Sequence, residues 1–134
     1  MAEHSKENNL ADLIDLVRRV LELAHARGAS AAEADIGSGT GFSATVRWGE
    51  VEKIEHERDK GMSVTVYMGK HKGSANTSDF SDIALAESVS AACNIARYAN
   101  EDPCAGLAEA GLMAKDIPEL DLYHPWDITP EHAI

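Results

Sequence analysis

A period of two in the placement of apolar residues constrains the fold of this chain most strongly. Apolar and polar side chains alternate over 32–36, 42–48 and 62–68, as in strands with one dry and one wet face. Segments 51–58 and 72–76 follow tight-turn residues and have thin apolar content, with charged side chains on the first that indicate a solvated face or an edge. The pattern predicts about five strands.

Helical patterns lie on both sides of these strands. The first begins near residue 10, after a candidate cap at Asn8–Asn9, and stops at Gly28. The second is capped by Ser81 and runs to about Ala99. Their apolar stripes are Leu10, Leu13, Ile14, Val17, Leu21 and Ala24 in the first helix, and Ile83, Ala86, Val89, Cys93 and Ala96 in the second.

Short connections set the expected topology. Gly49–Glu50 and Gly69–Lys70 indicate tight turns, and a parallel neighbour would need a crossover of about a dozen residues or more. We therefore expect an α+β fold: a two-layer sandwich with a mostly antiparallel sheet of about five strands and two helices packed on one face.

The composition changes after residue 101. Residues 1–101 are predicted to form the α+β domain, and 102–134 an acidic, proline-punctuated linker that ends in a helix start, with Thr129 as cap and Pro130 at the first helical position. Because an isolated helical turn does not recover its nucleation cost, we expect a truncated helix that leads into a carboxy-terminal domain absent from this chain. A frayed natural tail is the alternative.

Charge and composition limit the classes of partner that the chain is expected to bind. Twenty-three acidic side chains against twelve basic ones give a net charge of −11, and a stretch from Asp102 onward has seven acids and one base. Such a surface repels a phosphate backbone and an anionic membrane, so neither nucleic acid nor a membrane is an expected direct partner. No basic segment followed by an apolar one opens the sequence, and a cytoplasmic location is expected.

Residue types that carry catalysis are present but do not form a motif. None of the six histidines has the i, i+4 spacing with an intervening glutamate that zinc peptidases use. His56 and His71 could meet across strands, as a metal site or in a self-contained hydrolase, but exposed strand positions explain them better. The sequence therefore predicts no catalytic residue, no cofactor-binding residue and no metal ligand.

Other chemistry-bearing residues also favour structural roles. Gly37–Gly41 resembles a phosphate loop but leads into a strand, so a hairpin connection is expected. Cys93 is expected to be buried on its helix, and Cys104 lacks a basic neighbour. The proline-flanked aromatics Tyr123 and Trp126 are expected to anchor the linker, on this domain or on absent sequence. Core packing is expected for Phe42, Trp48, Met62 and Met68.

Several short motifs together resemble the start of PmbA/TldE subunits of the TldD/PmbA family, also called modulators of DNA gyrase. The likeness covers about residue 10 to the end, and the TldD branch is less similar. The motifs are Thr40-Gly41-Phe42-Ser43, Arg47-Trp48-Gly49-Glu50-Val51-Glu52, residues 61–67, Lys72-Gly73-Ser74-Ala75, Thr77-Ser78-Asp79, Ala96-Arg97-Tyr98, Asp102-Pro103-Cys104-Ala105-Gly106-Leu107 and Leu120-Asp121-Leu122-Tyr123-His124-Pro125.

The resemblance implies a non-catalytic amino-terminal domain in a TldD/TldE assembly that degrades or trims peptides. Zinc would be held by the TldD-type partner subunit, with none in this fragment. The implied partners are that subunit and unfolded peptide substrates, and the full-length protein is expected to be oligomeric. A different hypothesis remains open: a peptide-binding or regulatory module that captures extended peptides along a strand edge such as 72–76.

Overall fold

The structure, a computed structural model, describes residues 10–122, 124, 126 and 128–134. Two long helices and three strands account for most of these residues, and two short helical segments follow. In chain order the elements are α1 (Leu10–Ala26), β1 (Ala31–Arg47), β2 (Glu50–Met68), β3 (His71–Thr77), α2 (Asp82–Tyr98), a 3-10 turn (Ala110–Leu112) and α3 (Pro130–Ala133).

The strands form one sheet in the order β1-β2-β3. β2 and β3 pair antiparallel, with Val66 opposite Gly73 and Met62 opposite Thr77. β1 and β2 are joined by the two-residue turn Trp48–Gly49, both at positive φ (59° and 81°), as in the turns whose twist suits a hairpin. The α+β class and the antiparallel sheet are thus confirmed.

The prediction of about five strands was wrong. The expected strands 32–36 and 42–48, the latter without its last residue Trp48, are parts of the single strand β1, and 51–58 and 62–68 are parts of β2. Gly37–Gly41 is extended backbone within β1, and none of its glycines has a positive φ. The physical reason is visible in the spacing: Ile36 and Phe42 are six residues apart, so the alternation keeps its phase across the glycines.

The chain divides into two compact units. One, the core unit, contains 10–38 with 59–107, and therefore α1, α2, β3 and the neighbouring halves of β1 and β2. The other, the hairpin unit, contains 39–58 with 108–134, that is, the turn-proximal halves of β1 and β2 and the carboxy-terminal segment. The boundary predicted between residues 101 and 102 stays a prediction.

One apolar cluster fills the core unit. The even-numbered residues at the end of β2 share a sheet face with the odd-numbered residues of β3, and both helices pack against that face. Each large side chain buried there contributes about 1.5–3 kcal/mol. The cluster contains Val20, Ala24, Ala29, Met62, Val64, Val66, Leu85, Val89, Ala92 and Cys93.

Helix α2 lies unusually close to β3. A methyl group on Gly73 would lie 2.2 Å from the carbonyl oxygen of Ala92 and 2.4 Å from the backbone nitrogen of Ala96. Only hydrogen fits at this position. The small residues Ala92 and Ala96 of α2 therefore allow a backbone-to-backbone approach, with Gly73 as their counterpart in the sheet.

The predicted stripe of α2 is confirmed for most of its length, because Val89, Cys93 and Ala96 are buried; its first member, Ile83, is 73% exposed. In α1 the first positions of the predicted stripe, Leu10 and Ile14, are 69% and 49% exposed, and Ala24 at its end is buried. Periodicity thus identifies each helix and much of its buried face, but not how far along the helix the cover extends.

Hydrogen bonds cap the start of α2 and hold the segment that follows it. The Ser81 hydroxyl accepts a hydrogen bond from the backbone N–H of Ala84 at 3.3 Å, so the predicted cap of α2 is confirmed. After α2, the backbone N–H of Asp102 donates to the carbonyl of Lys70 (3.0 Å), and Lys70 Nζ donates to the carbonyl of Ala105 (3.0 Å). The segment after α2 is thus fastened to the β2–β3 turn.

Two further expectations concern the surface and the chain start. Trp48, expected in the core, is 90% exposed at the hairpin turn, because a turn position has no sheet face to pack on. The candidate cap of the first helix, Asn8–Asn9, lies outside the described residues. Among the helices that the structure describes, none is long and apolar enough to span a bilayer.

Candidate functional site

The hairpin unit contains a groove. It measures about 510 Å³ and combines strand residues with residues close to α3. Phe42 and His56 are neighbours, with ring centroids 4.9 Å apart and planes tilted by 46°. The lining residues of this hairpin groove are Thr40, Gly41, Phe42, Ala44, His56, Trp126, Ile128 and Ala133.

Trp126 gives the groove an exposed aromatic wall. Its side chain is 80% exposed although it lines the groove, whereas Phe42 and Ile128 are half-buried. The sequence predicted an anchoring role for Trp126 and Tyr123. Trp126 lies in the same unit as Phe42, and Tyr123 is outside the described residues. An open indole beside two further rings can stack on a flat or cationic side chain.

Two glutamates of β2 lie on the sheet face opposite the groove. A methyl on Gly41 would lie 3.6 Å from Cβ of Glu57, and Glu55 accepts a hydrogen bond from the Ser43 hydroxyl (3.4 Å), so both share the face of Gly41 and Ser43. Phe42, which lines the groove, alternates with these residues and lies on the other face. Over 39–58 and 108–134 the sequence has ten acidic and four basic side chains, a net charge of −6, so the unit as a whole is acidic.

A second candidate lies in the core unit, along β3. In the sheet of the described residues, β3 is an end strand that pairs with β2 along one edge. A shallow groove of about 260 Å³ lies between this strand and α2, with small and polar lining residues. They are Ala75, Asn76, Thr77, Ala84, Glu87, Ser88 and Ala91. Part of the edge predicted from the sequence, 72–76, lines this space.

The sheet face opposite the helices carries one buried phenol. Tyr67 is 5% exposed, and its hydroxyl donates a hydrogen bond to Glu33 Oε1 at 3.0 Å. Burial raises the pKa of Tyr67, and the bond to Glu33 raises it further. The phenol is therefore a neutral donor that ties β2 to β1, not an acid–base group.

His56 and His71 each have their own partner. His71 Nδ1 lies 2.9 Å from the carbonyl oxygen of Ala99 in the core unit, and His56 packs on Phe42 in the hairpin unit. Over 10–122, 124, 126 and 128–134, no three histidine, cysteine, aspartate or glutamate side chains are grouped so as to hold a metal ion. The described residues thus do not fit the zinc that a metallopeptidase needs.

The cysteines are separate thiols. Cys93 is buried in the core cluster, as predicted, and Cys104 is exposed in the segment after α2. Gly37–Gly41 is strand, so its predicted role as a hairpin connection was wrong. The hairpin groove was not predicted at all, although the phase-keeping spacing of Ile36 and Phe42 is a signal that would have extended β1 toward it.

Comparison with known proteins places most of the chain in one family. Residues 32–96 match the sequence model of PmbA/TldA metallopeptidase domain 1. Metalloprotease PmbA of Escherichia coli O157:H7 is 44% identical over 122 residues, which is 91% of this chain and 27% of that protein. A PmbA homologue of Haemophilus influenzae is 43% identical over the same shares. The chain spans about a quarter of the length of these relatives.

Solved structures share the fold. A Bacteroides thetaiotaomicron protein described as a candidate modulator of DNA gyrase superposes with a TM-score of 0.75 at 20% identity, covering 87% of this chain and 26% of that one. TldE from Thermococcus kodakarensis gives 0.65 at 15% identity, with 83% and 25% covered. Together with the sequence matches, this shows that the chain carries the amino-terminal domain of the PmbA/TldD family.

Proposed function

We propose that this chain is the non-catalytic amino-terminal domain of a PmbA/TldE-like subunit in a TldD/TldE zinc metallopeptidase that degrades or matures peptides. The observation that carries the proposal is the 44% identity to a protein named metalloprotease PmbA over 91% of the chain. About three quarters of that relative lies outside the match, which leaves ample sequence for the catalytic machinery.

The chemistry of the described residues supports placing catalysis elsewhere. Its two candidate histidines, His56 and His71, are engaged with a phenyl ring and a backbone carbonyl in separate units. We derive no step through zinc in this domain, and assign the metal to the TldD-type partner. The domain's own contribution is structural: a closely packed α+β core that presents strands and grooves of fixed geometry to a peptide or a neighbouring subunit.

The same proposal names partners and a compartment. A TldD-like subunit and unfolded peptides are the expected partners in an oligomeric full-length protein, and the cytoplasm is the expected location. Direct contact with nucleic acid is not part of the proposal because the chain carries a net charge of −11. The carboxy-terminal residues from 102 onward would then link this domain to the catalytic part of the longer protein.

Reconstitution tests this function. The full-length protein is expressed with a TldD-type subunit, and cleavage of an unfolded peptide is measured with and without zinc, with this domain present or deleted. We expect cleavage to require zinc and both subunits and to fail without the domain. A zinc-ligand substitution in the TldD-type subunit is the matched control and should abolish cleavage. Zinc-dependent turnover by the 134-residue chain alone would contradict the proposal.

A second candidate is a peptide-binding or regulatory module without a role in assembly. It is favoured by the position of β3 at the end of the sheet as described, next to the groove along α2, since an extended peptide can add a strand to such an edge. Amide chemical shifts over His71–Thr77 should then change on addition of unfolded peptide, while those of Val64 and Val66 stay constant. Unchanged shifts at millimolar peptide would exclude it.

A further inference from the structure

The open edge of β3 has few of the features that prevent another strand from pairing with it. Across the part of the chain that the structure describes, β3 pairs with β2 alone, without a skipped position from Met62 opposite Thr77 to Met68 opposite His71. β3 contains no proline, and Lys72 is its one charged residue apart from the histidine. Prolines, bulges and several charges are what usually block a sheet edge. The edge of β3 is therefore able to accept a strand.

The position of α2 directly above β3 restricts what can be added. A methyl on Gly73 would point at the helix backbone, 2.2 Å from the carbonyl oxygen of Ala92 and 2.4 Å from the nitrogen of Ala96. Neighbouring strands lie about 4.8 Å apart, whereas the axes of packed helices are about 8–10 Å apart. A second copy paired antiparallel through its own β3 would bring its α2 too close, on the same sheet face. The added strand must therefore have no helix above it, as in an extended peptide.

The groove between β3 and α2 indicates the size of the side chains that such a strand would carry. Ala75 and Thr77 share the sheet face of Gly73, and Ala84 and Ala91 of α2 line the same space of about 260 Å³. Alternate side chains of an added strand would point into this space, because strand residues alternate between the two faces. The small lining leaves room there for aliphatic side chains of modest size.

Two further residues of α2 indicate the polarity of the ligand. Ile95 lies four positions after Ala91, on the same side of the helix, and its Cβ would be 3.0 Å from a methyl on Gly73. Its side chain is 50% exposed, so an aliphatic neighbour on an added strand would bury it further. Among the described residues that line the groove, Glu87 is the only charged one, in a chain of net charge −11. Acidic side chains are therefore repelled at this edge.

We propose that β3 takes up an extended peptide as a fourth strand, with uncharged aliphatic side chains at alternate positions in contact with α2. Hydrogen bonds between the peptide backbone and the open edge of β3 provide the affinity. The lining between Ala75 and Ala91 selects aliphatic side chains over acidic ones. This ligand class deepens the second candidate function and rests on it, and it is independent of zinc-dependent cleavage.

Fluorescence anisotropy with the 134-residue chain tests the backbone part of the proposal. The probe is a fluorescein-labelled eight-residue peptide of alternating valine and threonine. The N–H groups of the valines point to one edge of the extended peptide and those of the threonines to the other. Methylating either set of amide nitrogens gives two matched peptides. One of them should bind at least about tenfold more weakly, because it loses several hydrogen bonds, and the other should keep its affinity within about threefold.

Two more peptides test the side-chain preference. Aspartate in place of two valines puts carboxylates on the positions that face α2 and should weaken binding at least about tenfold, because a desolvated charge is costly. Aspartate in place of two threonines adds the same charge on the other face of the peptide. This control should weaken binding less than about threefold, because exposed charges are screened by salt.

Two lysine variants place the ligand on the protein. Ala91→Lys puts a long side chain across the groove and should weaken binding of the unmodified peptide at least about tenfold. Asn94→Lys adds the same charge at an exposed position of α2 outside the lining, and should change the affinity less than about twofold. Circular dichroism checks that both variants fold.

Four outcomes would overturn the proposal. They are no binding of the unmodified peptide at millimolar concentration, equal binding of the two methylated peptides, wild-type affinity in Ala91→Lys, and binding by the 134-residue chain but not by the full-length protein. The last would mean that another part of the longer protein occupies the edge. The assay contains no zinc and measures no cleavage, so failure here leaves the peptidase role standing. Peptide-induced shifts over His71–Thr77 without these preferences would retain the second candidate function and refute its ligand class.

Discussion

The core unit and the hairpin unit share the two long strands, yet their apolar side chains have very different surroundings. In the core unit Met62, Val64 and Val66 are at most 2% exposed beneath the helices. In the hairpin unit Val46, Val51 and Ile54 are 41–43% exposed. The alternation along a strand thus identifies the strand, but burial depends on whether a helix covers the face. One half of the hairpin is therefore packed scaffold, and the other keeps its apolar side chains partly exposed.

Truncation of a core side chain should have the largest effect. Leu85→Ala leaves a cavity among fully buried residues and should lower the free energy of unfolding by about 2–5 kcal/mol. Ile54→Ala in the hairpin unit, where the side chain is 42% exposed, should lower it by less than about 1 kcal/mol. Urea unfolding measures both. Equal losses would mean that the hairpin half is packed as well as the core half.

A pair of glycine variants tests the close approach of α2 and β3. Gly73→Ala places a methyl 2.2 Å from the Ala92 carbonyl oxygen and should destabilise the protein by about 1–3 kcal/mol or more, since helix backbone must move. Gly37→Ala is the control in β1: no atom lies within 4 Å of its added methyl. Thermal unfolding should show that change to be neutral or slightly stabilising. Similar melting points for both variants would contradict the packing described.

Substitutions at the hairpin turn test the hairpin unit separately from the core unit. Trp48 has φ 59°, a conformation that asparagine adopts more readily than a large aromatic residue. Trp48→Asn should stabilise the hairpin by about 0.5 kcal/mol and slow amide exchange over 41–57, with the core amides unchanged. Gly49→Ala, at φ 81°, should have the opposite effect. Changes that spread to 62–68 would show that the two halves unfold together.

The smallest expected effect is a pH dependence at the start of α2. The Asp79 carboxylate accepts a hydrogen bond from the backbone N–H of Ser81 at 2.8 Å, and this bond lowers the pKa of Asp79. Its stabilising contribution is present above the unfolded-state pKa and is lost as the pH falls through the lower folded-state pKa. Asp79→Asn should reduce the slope of stability against pH below about pH 4. An unchanged slope would show that Asp79 contributes nothing there.

Some parts of the fold could be predicted because local chemistry determines them. The Ser81 cap and the antiparallel hairpins each follow from one or two neighbouring residues, and the burial of Cys93 follows from the helical period of α2. The strand count failed because glycines were taken as turn signals, although Gly37, Gly39 and Gly41 simply continue an extended strand. The exposure of Leu10, Ile14 and Ile83, at the starts of the two predicted stripes, depends on how far other elements cover each helix, which periodicity does not contain.

The candidate site was harder to predict from the sequence than the fold was. Trp126 was recognised as an unusual aromatic residue in an acidic segment, but its neighbours in the groove come from β1 and β2, some 70–86 positions earlier. Residues this far apart in the sequence come together only through the tertiary structure, so no local pattern predicts the groove. His56 and His71 show the reverse: residue types that suggested chemistry are engaged in ordinary packing and hydrogen bonding.

Hydrogen–deuterium exchange of the 134-residue chain tests most directly whether the core unit is the packed half of the hairpin and the hairpin unit the more open half. We expect the amides of 62–68 and His71–Thr77 to exchange much more slowly than those of 41–57, because the apolar cluster covers the first two segments. Equal protection of the two regions would contradict this account.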